Sequence, residues 1–71
     1  MAILNPRYVS EGRVMFELKS GARFDAELRI NDPIAEVFWV ERSEGVFEPI
    51  PYAEFACAKM LSPRRSQNAP D

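Results

Sequence analysis

Arg13-Val14-Met15-Phe16-Glu17-Leu18-Lys19-Ser20-Gly21-Ala22-Arg23-Phe24-Asp25-Ala26-Glu27-Leu28-Arg29-Ile30 alternates apolar with mostly polar side chains on both sides of one Gly-containing turn. That pattern is the signature of a β-hairpin. A loop Lys19-Ser20-Gly21 flanked by Leu18 and Ala22 puts Gly21 in the last loop position, where a left-handed residue closes the turn. In this register Phe16 faces Phe24, Val14 faces Ala26 and Leu18 faces Ala22. On the other face Glu17 meets Arg23, Met15 meets Asp25 and Arg13 meets Glu27, with Glu11 opposite Arg29 if pairing runs that far. Sliding to the next compatible register would oppose Glu17 to Asp25 and Arg13 to Arg29, and like charges directly across a ladder are destabilising. The first register is therefore the expected one.

Upstream, Ile3-Leu4 is an apolar patch ended by the turn Asn5-Pro6. Arg7-Tyr8-Val9-Ser10 is expected as a short strand, bent into the hairpin at Glu11-Gly12. Downstream, Asn31-Asp32-Pro33 reads as a turn. The strand that follows, Ile34–Arg42, has an apolar centre, Val37-Phe38-Trp39-Val40, which is either covered on both faces or leaves one apolar face exposed. Ser43-Glu44-Gly45 repeats the placement of Lys19-Ser20-Gly21 and predicts a second hairpin of the same type, with Arg42 and Val46 as flanks. Pro49 confines the strand Val46–Ile50 to an edge or marks where its pairing ends.

Pro51–Leu61 carries proline at its first position and several alanines, so one helix is expected there, stopped by Ser62-Pro63. Its wheel gathers Tyr52, Ala53, Ala56, Cys57, Met60 and Leu61 on one apolar arc, with Phe55 beyond its edge. The expected fold is α+β: a small antiparallel β-meander of three to four strands with one C-terminal helix across a face, or a curled SH3-like barrel with a terminal helix. Residues 1–61 are expected to form a single small globular domain and residues 62–71 a disordered C-terminal tail.

With 71 residues, 46% hydrophobic and 28% charged, the chain has enough apolar material for one small core. Its single cysteine, Cys57, excludes an internal disulfide and points to a reducing cytoplasm. The opening Met1–Arg7 has neither a basic leader nor a long apolar run, so no secretion signal or membrane span is expected. Nine basic against eleven acidic residues give a net charge of −2, a balance unsuited to recognition by phosphate neutralisation.

No histidine is present, which removes the commonest proton shuttle and metal ligand. The three glycines are each explained by a bend, so no phosphate-cradling loop remains. Cys57 is expected as a buried structural thiol, and no catalytic, cofactor-binding or metal-ligating set is found. The expectation is a non-enzymatic protein-interaction module that binds and modulates a larger protein or complex. The other reading is a single-stranded nucleic-acid-binding β-domain, weakened because Arg13, Arg23 and Arg29 each face a carboxylate across the hairpin. A homodimer is a further arrangement that an exposed apolar face would allow. Candidate contact residues are Trp39 as anchor with Phe38 beside it, Arg7 and Tyr8 on the N-terminal arm, and Met15 on a strand whose outer edge lacks an evident partner.

Overall fold

In a computed structural model, described here for residues 2–63, the chain forms five antiparallel strands in one sheet. They are β1 (Gly12–Leu18), β2 (Arg23–Asp32), β3 (Val37–Ser43), β4 (Val46–Pro51) and β5 (Phe55–Pro63), in the spatial order β4-β3-β2-β1-β5. Two short 3-10 turns, Pro6–Tyr8 and Tyr52–Glu54, complete the described elements. The tail expected from residue 62 lies, from residue 64 on, outside the described residues, while Ser62 and Pro63 continue β5 opposite Arg13 and Gly12.

The hairpin β1-β2 has the register its side chains dictate. Phe16 pairs with Phe24, Val14 with Ala26, Met15 with Asp25, Glu17 with Arg23 and Arg13 with Glu27. Pairing ends at Gly12 opposite Leu28, one position short of Glu11 and Arg29. At the tip Leu18 N donates to Ala22 O at 2.9 Å, and Gly21 takes a φ of +94°. The second hairpin also closes on a left-handed glycine, Gly45, with a φ of +78°. Glu41 opposite Phe47 and Trp39 opposite Pro49 keep the register that Arg42 and Val46 as flanks imply, and only the closing pair differs: Ser43 meets Val46, and Arg42 is extruded as a bulge between Glu41 and Ser43.

The expected C-terminal helix is absent, and with it the α+β class: residues 55–63 are the fifth strand, paired along β1. Propensity lost to a tertiary demand. With β2 on one side only, β1 would leave a row of unpaired N–H and C=O groups, and pairing with β5 satisfies them. The same choice carries Phe55, marginal on the helical wheel, into the centre of the core.

Among the described residues no helix lies over the sheet, and the sheet covers its core by curling. β3 and β5 are separated by β2 and β1, which in a flat sheet means roughly 14 Å at the usual strand spacing. Yet the Phe38 ring of β3 and the Phe55 ring of β5 have centroids 5.3 Å apart. Phe38 also meets Phe16 at 5.2 Å and Tyr52 at 5.0 Å. Around these rings Val14, Ala26, Leu28, Val40, Ile50 and Ala58 complete the core. Val9 enters it from the N-terminal arm, whose expected strand is instead the 3-10 turn Pro6–Tyr8, capped by Asn5 Oδ1 on Arg7 N at 3.0 Å.

Candidate functional site

Strict alternation along β2 would send Phe24, Ala26, Leu28 and Ile30 inward together. A bulge prevents this: Leu28 pairs with Val40 and Ile30 with Trp39, so Arg29 is the extra residue and the inside-outside sense reverses after it. Ile30 thus stands on the outer face, 53% exposed, and Asn31 turns inward. The β2-β3 turn therefore lies at Pro33–Glu36, two residues later than expected, with Asp32 Oδ1 accepting from Ile34 N and Ala35 N, each at 3.1 Å.

The bulge has two consequences. Inside, the Asn31 Nδ2 group donates to Val9 O at 2.8 Å and Pro6 O at 3.0 Å, and its Oδ1 accepts from the Tyr52 hydroxyl. One amide side chain fastens the N-terminal arm and the turn before β5 to the sheet. Outside, Ile30, Trp39 and Pro49 stand side by side on β2, β3 and β4. Phe47 lies on the same face of β4, opposite Glu41, and Val37 with Pro51 extends the face by one further pair. Trp39 is 38% exposed and Phe47 52%. The run Val37–Val40 therefore divides: Phe38 and Val40 are buried, and Val37 and Trp39 face outward.

One ion pair borders this apolar face: Arg29 Nε lies 3.6 Å from Glu41 Oε1. The second, Arg42 Nη1 3.1 Å from Glu48 Oε1, belongs to the other side of the sheet, where Glu48 stands opposite the buried Val40. Glu27 and Glu41 are direct neighbours across β2-β3, and the Arg29 guanidinium reaches the Glu41 end of that like-charge pair. Arg42 also lies over the Phe24 ring, with 4.0 Å to its centroid, a cation–π contact at the tip end of the core. Farther along the outer face Arg23 Nε is 3.7 Å from Glu17 Oε1. The hairpin's outer surface thus holds its charges in pairs instead of in a basic stripe.

Of the residues expected to meet a partner, Trp39 lies on the apolar face. Phe38 is fully buried and belongs to the core. Met15 is on the outer face too, but between Asp25 and Lys59 on the charged part of the sheet, away from Trp39. Arg7 and Tyr8 sit on the first 3-10 turn: Tyr8 is exposed, and Arg7 Nη2 is 3.4 Å from Glu36 Oε2. The edge of β1 that motivated Met15 is filled by β5. Ile30 was hidden from sequence reasoning, because nothing in the residue pattern marks a bulge at Arg29; Phe47 and Pro49 reach the same face through the β3-β4 register.

Cys57 lies on β5, not on a helix, half-buried on the outer face with its Sγ 3.6 Å from Glu17 Oε1. Loss of solvent and the neighbouring Glu17 carboxylate, partly opposed by Arg23, push the thiol above its ordinary pKa, the opposite of what a nucleophilic cysteine needs. Among the described residues there is no pocket and no cluster of three or more metal-ligating side chains. No helix among them is long and apolar enough to cross a membrane. The chain matches no protein-family model, no curated protein and no solved structure.

Proposed function

We propose that this chain is a non-enzymatic protein-interaction module that binds and modulates a larger protein through the outer face of β3 and β4, with Trp39 as anchor. The observation that carries this reading is the adjacent exposure of Ile30, Trp39 and Phe47 beside Pro49, on a sheet face that would ordinarily be polar. Tryptophan and phenylalanine on paired strands are rigid contact groups, and the Arg29–Glu41 ion pair lies at their edge, a polar margin of the kind found at protein interfaces. A reducing cytoplasm is the compartment proposed with it, supported by the free Cys57 thiol.

The test is capture from the native cell with the tagged chain and with its Trp39→Ala and Ile30→Lys variants, each checked for an intact fold by circular dichroism. A specific partner should be retained by the wild type and lost by both variants, with about 30-fold weaker binding for Trp39→Ala, as for a typical anchor residue. Equal capture by all three proteins would remove this face from consideration. Titration with a single-stranded oligonucleotide at low and high salt checks the other reading, since tight binding that falls steeply with salt would replace the proposal. Sedimentation of the chain alone reveals whether the partner is a second copy.

A further inference from the structure

The two edges of the sheet are guarded differently. β4 presents Pro49 and Pro51, two residues apart, so their nitrogens point the same way and neither can donate to an added strand. On β5, register shifts leave Ala56 and Leu61 as extra residues, and between them Cys57–Met60 is a regular stretch without proline. The outer side of this stretch is met at one position by the chain's own N-terminal arm. Ile3 N donates to Ala58 O at 2.7 Å, and Ala58 N donates to Ile3 O at 3.0 Å, an isolated antiparallel bridge. By the alternation of an antiparallel ladder, Met60 turns its N–H and C=O to the same side as Ala58.

The bridge also defines what the edge accepts. Ile3 shares the inner face with Ala58 and packs against the core, so an aliphatic side chain fits there. The residue before it lies opposite Lys59, an exposed cation on the outer face. The arm offers Lys59 only the methyl group of Ala2, where a carboxylate would complement it. Leu4 and Asn5 are exposed, so the arm's hold on this edge rests chiefly on Ile3. A segment held this lightly opens locally without unfolding the sheet.

We infer that the outer edge of β5 from Cys57 to Met60 is a strand-addition site, occupied here by the N-terminal arm. Its occupant in a complex is an extended peptide of a partner protein that carries an acidic residue followed by an aliphatic one and runs antiparallel to β5. Backbone hydrogen bonds to Ala58 and Met60 supply the attraction, while the core-facing aliphatic side chain and the contact with Lys59 supply the selectivity.

The test uses the full chain, labelled for amide NMR, with Ile3→Gly to loosen the arm. The probe is a synthetic peptide of residues 1–6 carrying Ala2→Glu. The Ala58 and Met60 amides of the Ile3→Gly protein should shift on titration. The wild type should need several-fold more peptide, because its own arm competes, and a peptide that also carries Ile3→Ser should produce no shift. A well-dispersed Ile3→Gly spectrum in which Ala58 and Met60 do not move would overturn the inference. Should Ile3→Gly unfold, hydrogen exchange on the wild type decides: the Ala58 amide should exchange faster than that of Phe16 and independently of denaturant, whereas equal protection of the two would overturn it. Neither readout depends on the Trp39 face.

Discussion

The Tyr52 hydroxyl donates to the side-chain oxygen of Asn31, and through that one amide the turn preceding β5 is joined to the arm preceding β1. Three segments distant in sequence thus share one polar group at the end of the core. Asn31→Ala would leave the Pro6 and Val9 carbonyls and the Tyr52 hydroxyl to find water in a partly buried site, at a cost of about 2–3 kcal/mol. Tyr52→Phe removes one hydrogen bond and should cost about 1 kcal/mol. Urea unfolding of the two variants measures both values. Equal effects would mean that the carbonyls of the arm are not held by Asn31.

The same tyrosine gives the protein an alkaline limit. Burial raises the Tyr52 pKa, and Asp32 and Glu36 add to the rise while Arg7 opposes it. A group whose pKa is raised by folding contributes stability below its unfolded value and loses it as pH rises through the folded one. Stability should therefore fall above pH ~10, where an unfolded tyrosine begins to ionise. Cys57, also raised, contributes a decline of the same sign from a lower pH. Melting temperatures across this range should fall less steeply for Tyr52→Phe at the upper end and for Cys57→Ser at the lower. Identical slopes for the wild type and Tyr52→Phe would remove the tyrosine from the account.

Leu28 and Ile30 are two residues apart on β2 and lie on opposite faces because Arg29 is extruded between them. Leu28 is fully buried, so Leu28→Ala should cost about 2–5 kcal/mol, most of the stability of so small a domain. Ile30→Thr, on the exposed face, should change stability by about 0.5 kcal/mol or less. Comparable losses at the two sites would show that the bulge does not reverse the strand in solution.

What was legible in the sequence follows from this contrast. The first hairpin could be read to the residue, because its apolar face, its Glu17–Arg23 and Arg13–Glu27 pairs and Gly21 all favour one register. The bulge at Arg29 could not, since any residue can occupy such a position and the pattern Leu28-Arg29-Ile30 also suits a regular strand. Residues 55–61 misled through local preference: alanines favour a helix, and only the unpaired edge of β1, a feature of the assembled sheet, asks for a strand. The marginal place of Phe55 on the helical wheel was the one signal of the error. Trp39 was recognisable as an anchor type, but the face spans three strands, and Ile30 joins it only once the bulge is formed.

Left-handed backbone at the turns allows a paired test. Gly21 has a φ of +94° with open space around a would-be Cβ, so Gly21→Ala should cost about 1 kcal/mol through backbone strain alone. Glu36, at a φ of +58°, already bears that strain with a side chain. Its contact with Arg7 is an exposed ion pair, which contributes little. Glu36→Gly should therefore raise stability by up to about 1 kcal/mol. A loss on Glu36→Gly, seen as a lower urea midpoint, would show that the contact with Arg7 outweighs the strain.

Pro49 and Pro51 lie on the exposed edge strand β4, beside the apolar residues Phe47 and Trp39. Their rings deny an approaching strand two hydrogen bonds at the place where apolar side chains would otherwise promote edge-to-edge pairing. Replacing them, Pro49→Val with Pro51→Thr, restores both N–H groups and adds residues of high β-propensity. The double variant should keep the fold, because both nitrogens point away from β3 and take no bond from the ladder. It should self-associate with rising concentration in sedimentation velocity. If it stays as monodisperse as the wild type, the prolines are not what protects this edge, and the guard must come from the twist produced by the bulge at Arg42.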